Sequence, residues 1–96
     1  MAKIVRTYSA GVFYIPGDIE NRSVDGKRGI LKNARRLWYW KGASSLSQLA
    51  VDGPQCPKEC KFPTPVDEIE VSEIIEVLNV TDVASKIIEA VEIWKQ

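Results

Sequence analysis

Arg35, Arg36, Trp38, Tyr39, Trp40 and Lys41 fall within seven consecutive residues, the one stretch of the chain where cations and large rings are densely interleaved. Rings of this kind stack on bases while neighbouring cations meet phosphate, and each open face is worth about 1–3 kcal/mol in stacking. The same residue types anchor protein interfaces. They also fill small cores, where an arginine can lie flat on an aromatic neighbour. The segment therefore admits three uses: core packing, contact with a second copy or another protein, or contact with a nucleotide or nucleic acid. Opposite faces of one strand can serve different ones.

Other chemistry is sparse. The chain has no histidine. That removes the commonest general base near neutral pH, the usual catalytic triads and the histidine-containing zinc sites. Asp67, Glu68, Glu70, Glu73 and Glu76 form an acidic series, but period-two alternation puts Glu68 and Glu70 on one strand face, where a solvated role competes with a metal site. Cys56 and Cys60 could share a metal, yet structural zinc takes four ligands and no other Cys or His exists in the chain. Their spacing is not that of a redox motif, and a disulfide is disfavoured in a reducing compartment. They read best as small apolar groups in a proline-stiffened loop. Gly26-Lys27-Arg28-Gly29 lacks the strand–loop–helix setting of a phosphate loop and reads as a hairpin loop. Asn79-Val80-Thr81 matches a glycosylation acceptor, but a strand end followed by a helix cap explains it equally. No metal and no cofactor is expected.

The 96 residues suit a single compact domain, 1–96, with a modest core. An apolar content of 45% argues against general disorder. No run approaches the roughly 18 apolar residues that span a membrane, and the alternation that follows Met1 argues against a signal peptide. Net charge is zero but uneven: residues 1–50 carry nine Lys/Arg against three Asp/Glu, and residues 51–96 carry four against ten. Either the halves pack together and mix their charges, or the molecule has a basic and an acidic face that favours head-to-tail contact.

The elements that must position these groups follow from periodicity. Lys3–Ser9 and Val12–Ile15 alternate as short strands, and Pro16-Gly17 is a turn. A third strand begins at Gly29 and continues through Arg36–Trp40, with Arg36, Trp38 and Trp40 on one face and Leu37 and Tyr39 on the other, the pattern of a strand that is central or covered on each side. Ser44 or Ser45 caps a helix over Leu46–Val51, ended by Asp52-Gly53-Pro54. Residues 53–65 form an irregular connection. Val66–Val80 reads as two short strands or one bent strand. Thr81 caps a helix reaching about Ala90, with Val83, Ala84, Ile87 and Ile88 as its buried stripe. Val91–Trp94 is a closing strand or extended tail. The fold class is α+β: a small, mostly antiparallel sheet with one short mid-chain helix and one longer C-terminal helix.

The segments Val5–Val12, Asn33–Trp40, Gly42–Ala50 and Cys60–Pro63, with the final helix and Trp94, give the chain a further property. It resembles a family of small uncharacterised proteins encoded by tailed bacteriophages. The resemblance covers nearly the whole chain and is most specific at the tryptophan segment; residues 14–28 diverge most. It implies a bacteriophage origin and action in the host bacterial cytoplasm, with virion association as an option. It brings no activity and no catalytic residue.

Together these readings lead to a non-enzymatic bacteriophage accessory protein that acts by binding as a homo-oligomer, with phage or host protein as further partners and no membrane. Its binding or interface residues are Arg35, Arg36, Trp38, Tyr39, Trp40 and Lys41. Two alternatives stay open: a binder or scavenger of a nucleotide-type signalling molecule that counters host defence, and a single-stranded nucleic-acid-binding protein.

Overall fold

Lys3–Thr7 forms β1 and Val12–Ile15 forms β2, where β-branched and aromatic residues crowd; the computed structural model describes residues 1–95. The two pair antiparallel with Val5 opposite Phe13. Thr7 closes their connection by donating to the Gly11 carbonyl from its amide at 3.0 Å and its hydroxyl at 2.7 Å. Gly29–Arg36 forms β3, Val66–Val71 forms β4 and Ile74–Asn79 forms β5.

The strand order is β4-β3-β2-β1-β5, and every neighbouring pair is antiparallel. Four antiparallel steps return β5 to the direction of β4. Only Ser72 and Glu73 separate these two strands in the chain. In a flat sheet four inter-strand steps would hold them roughly 19 Å apart, whereas the chain from Val71 to Ile74 reaches about 10 Å. The sheet must therefore curl strongly, into a barrel-like shape, with β4 and β5 on either side of one bend. The bend is tied on both sides: the Tyr8 amide donates to the Glu73 carbonyl at 2.9 Å, and the Ile74 amide to the Lys27 carbonyl at 2.9 Å. Val66–Val80, read as two short strands or one bent strand, is two short strands joined at the two-residue bend Ser72-Glu73.

The curl creates an interior to which all five strands contribute: Val5, Phe13, Ile15, Leu31, Ala34, Val71 and Ile74. A second apolar cluster lies outside the barrel under the helices and includes Ile4, Tyr14, Leu49, Phe62, Ala84 and Ile88. Neighbours such as Ile4 and Val5, or Phe13 and Tyr14, go to opposite clusters. Both faces of β1 and β2 are covered, so these strands read as continuous apolar runs.

Leu46–Asp52 forms α1 and Asp82–Ala90 forms α2. Ser45 caps α1, accepting from the Gln48 amide at 3.1 Å. Thr81 caps α2, accepting from the Ala84 amide at 3.1 Å, and its hydroxyl donates to the Val51 carbonyl at 2.6 Å, tying one helix to the other. Gly53 ends α1 at φ +74°, where a Cβ would lie 3.2 Å from Ile87 Cβ; the two helices meet at that glycine. The expected stripe on α2 is narrower than drawn, because Ala84 and Ile88 are fully buried while Val83 is 64% exposed.

Asn33 decides where the tryptophan segment goes. It sits in the middle of β3 at φ +52°, in the left-handed region. Leu31 and Ala34, three residues apart, both enter the barrel interior. The left-handed residue thus shifts the alternation by one, sending Leu37 to the outer cluster and leaving Arg36 over the interior Phe13 ring, 4.7 Å from its centroid. The expectation of a continuous strand through Trp40 is corrected here: β3 ends at Arg36. Its partner β2 begins at Val12, whose carbonyl accepts from the Leu37 amide at 2.8 Å. Beyond that there is no ladder to join. Leu37 and Trp40, predicted on opposite faces, pack against the same outer cluster.

The charge halves mix. The three ion pairs found among the described residues join Arg6 to Glu76, Lys32 to Glu68 and Lys41 to Glu59, each a cation from the first half and an anion from the second. No helix among the described residues is long and apolar enough to cross a membrane.

Candidate functional site

The exposed surface beyond β3 is built on a crossing of two extended segments. The Tyr39 amide donates to the Lys61 carbonyl at 3.3 Å, and the Lys61 amide donates back to the Tyr39 carbonyl at 2.8 Å. One residue further on, the Phe62 carbonyl accepts from the Trp94 amide at 3.0 Å. Residues 37–40, 61–62 and 93–94 therefore lie side by side, the last as an extended tail bridged to Phe62 through Ile93.

This crossing stacks two tryptophans that are distant in sequence. Trp38 and Trp94 lie with ring centroids 5.1 Å apart and planes 5° from parallel. The Lys61 ammonium sits 5.6 Å from the Trp38 centroid and 5.7 Å from those of Tyr39 and Trp94. At these distances the negative ring faces attract the cation, and the lysine stem covers apolar surface. Trp38 stays 58% exposed and Tyr39 44% exposed despite these contacts. An aromatic pair held at a fixed angle in water loses little side-chain freedom on meeting a partner.

The six expected site residues part company here. Trp38 and Tyr39 form the open surface, while Trp40 is half-buried against the outer cluster. Arg36 covers Phe13 at the barrel end. Lys41 is paired with Glu59 at 3.1 Å, an exposed ion pair that raises the lysine pKa. Arg35 is only 5% exposed.

Arg35 instead clamps the fold. Its Nε donates to the Pro63 carbonyl at 3.2 Å, Nη1 to Ile88 at 3.0 Å, and Nη2 to Phe62 at 3.2 Å and Val91 at 2.6 Å. Four of its donor directions thus meet backbone carbonyls, and its guanidinium also lies 5.5 Å from the Phe62 ring centroid. Ile88 and Val91 belong to the C-terminal end of α2, where the Ile88 carbonyl accepts from the Val91 cap amide at 3.2 Å and a cation is favoured. Burial lowers the arginine pKa from its ordinary value, but a guanidinium stays charged throughout the pH range of folded proteins. The clamp holds residues 62–63 in place, and so the ring stack beside them.

Cys60 is 7% exposed and Cys56 half-buried, both as free thiols around the 3-10 turn Pro57–Glu59. Burial pushes the Cys60 thiol pKa up, with the Lys41 carbonyl as a nearby polar contact at 3.9 Å. A protonated, covered thiol is a poor nucleophile. Glu68 pairs with Lys32 across β4 and β3, and Glu70 also lies on the exposed face. Among the described residues no group of three or more Cys, Asp or Glu is placed to hold a metal ion.

Sequence reasoning missed Lys61 and gave Trp94 no role beyond the tail. A signal existed for Trp94: it is a large ring past the end of the last helix, with no helical face to bury it. Lys61 carried none, because only the crossing of two loops brings it to the rings.

A small, strongly curled five-stranded antiparallel sheet with two helices packed on its outer face is the class of protein these elements define. The chain belongs to the family described as Domain of unknown function (DUF6948), whose model matches residues 2–88. The matched span contains all five strands, the clamp arginine and most of α2; Trp94 lies beyond it. No curated protein and no solved structure matches the chain.

Proposed function

We propose that this domain acts by binding rather than catalysis, and that its contact surface is the Trp38–Trp94 stack with Tyr39 and Lys61. The favoured partner is a second copy of the chain, as part of a bacteriophage accessory protein working in the host bacterial cytoplasm, with phage or host proteins as further partners. The observation that carries this reading is a tryptophan 58% exposed in a pre-formed stack. Aromatic anchors of this kind dominate protein interfaces. The resemblance to tailed-phage proteins supports the setting. A nucleic-acid surface is less well served, since Arg35 is spent on carbonyls, Lys41 on Glu59 and Arg36 on Phe13. Backbone-tracking surfaces need several free cations along a groove.

Sedimentation over a micromolar dilution series tests the proposal. The wild-type chain is expected to self-associate, and Trp38→Ala to shift it toward the monomer while keeping its circular dichroism. A wild-type chain that stays monomeric at every concentration overturns the self-association.

A further inference from the structure

Trp94 has a second side. Next to it lies a cleft of about 590 Å³ between the 3-10 turn, the C-terminal end of α2 and the tail. That volume falls within the range of small-molecule sites. Ile87, Val91 and Trp94 give it an apolar wall, and the charged residues that line it are Lys58, Lys95 and Glu92. Three observations give the cleft a preferred occupant.

The first is the ring. Trp38 covers one face of Trp94 in parallel stacking at 5.1 Å, so the remaining face and edge are what Trp94 has left to offer. The stack fixes its orientation before any ligand arrives. A flat aromatic group gains most from such a wall, through offset or edge-to-face contact.

The second is charge. Neither Lys58 nor Lys95 is in an ion pair among the described residues, whose three pairs lie elsewhere. Glu92 offsets one of the two lysines and leaves a single net positive charge among the described residues that line the cleft. A monoanion balances that; a cation would meet net repulsion, and a dianion would overcompensate it. The third is support: Arg35 binds the Val91 carbonyl from behind at 2.6 Å, so the wall is held by the same clamp that organises the stack.

We infer that this cleft is a small-molecule site for a flat aromatic monoanion, a ring system carrying one carboxylate, seated against Trp94 with its acid between Lys58 and Lys95. The site shares Trp94 with the contact surface proposed above but not Trp38, Tyr39 or Lys61, and ligand binding and self-association are read by separate measurements.

The test uses one ring with three charges: indole-3-acetate, indole and tryptamine, titrated into the full chain and followed by amide and indole nitrogen–proton NMR. Indole-3-acetate is expected to bind about fivefold more tightly than indole, the gain of one partly exposed ion pair, and tryptamine the least. The shifts should centre on Trp94, Ile87 and Val91. In the double variant Lys58→Gln with Lys95→Gln only Glu92 remains charged in the lining, so the order of indole-3-acetate and tryptamine should reverse while indole itself binds as before. Equal affinity across the three probes, tighter binding of tryptamine, shifts centred elsewhere, or no saturable shift at millimolar indole-3-acetate would each overturn the inference. Adenosine monophosphate, an aromatic dianion near neutral pH, forms a further arm. Binding stronger than that of indole-3-acetate would replace the carboxylate with a phosphate and overturn the monoanion assignment.

Discussion

Arg35 donates from Nη1 to the Ile88 carbonyl at 3.0 Å, which places a cation from the barrel wall at the C-terminal end of α2. The same guanidinium reaches Val91, Phe62 and Pro63. One side chain therefore joins β3, the loop before β4 and the last helix, with no carboxylate among these partners.

Removing it should be costly. Arg35→Met keeps much of the stem but removes four hydrogen bonds and leaves the Pro63 and Val91 carbonyls without a donor, while Phe62 and Ile88 keep the Trp94 and Val91 amides; buried unsatisfied acceptors cost about 1–3 kcal/mol apiece before relaxation and hydration. With partial rehydration we expect a net loss of about 3 kcal/mol in urea denaturation, a large part of the total for a domain of this size. Arg35→Lys should recover only part of it, since one ammonium cannot span carbonyls set around a planar fork. A loss under 1 kcal/mol in Arg35→Met would show that the clamp is dispensable.

Tyr14 adds a pH dependence on the alkaline side. It lies on β2 facing α2, 3% exposed, and its hydroxyl donates to the Glu89 carboxylate. Burial, then the hydrogen bond to Glu89, push its pKa up to about 12. The folded value lies above the unfolded one of about 10, so the folded state holds this proton more tightly. Its contribution is complete below pH ~10 and is lost as pH rises toward ~12. Urea titrations across that window should show wild type losing more stability than Tyr14→Phe, which lacks the proton; parallel curves would count against the linkage.

Asn33 should prefer glycine to any branched residue. At φ +52°, Asn33→Gly is expected to change stability by less than about 0.5 kcal/mol, and Asn33→Val to lose about 1–2 kcal/mol. Chemical denaturation of the pair decides it. A neutral Asn33→Val would mean that β3 passes this point without the left-handed residue.

The stacked tryptophans should be energetically coupled. A double-mutant cycle of Trp38→Ala and Trp94→Ala is expected to give a coupling of about 0.5–1.5 kcal/mol in stability. Lys61→Ala should weaken packing of the tail without unfolding the barrel, read as faster exchange of the Trp94 amide. Additive effects of the two tryptophan changes would rule out a stack in solution.

Much of the architecture was legible from short-range pattern. Val12–Ile15 is a strand because four apolar, β-rich residues end at Pro16-Gly17, and both helices carry caps that the structure uses, Ser45 and Thr81. The bend at Ser72-Glu73 was open to two readings, since β-branched residues mark both arms alike. The tryptophan segment was read correctly as extended but wrongly as a continuous strand: period-two alternation assumes unbroken strand geometry, and Asn33 shifts it by one.

The amino-acid order by itself determined the α+β elements, their caps and the scarcity of acid–base groups, because each depends on neighbours within a few residues. Only the tertiary structure decided what the basic and aromatic residues do. Arg35 and Arg36 are adjacent and chemically identical, yet one is buried among carbonyls and the other lies over Phe13 at the exposed barrel end. Trp38 and Trp94 stack across 56 positions of sequence only because a barrel, a loop and a helix end hold them there. Local sequence sets a side chain's type and period, but its partner is fixed by long-range packing, set here by one bend between strands and one buried arginine.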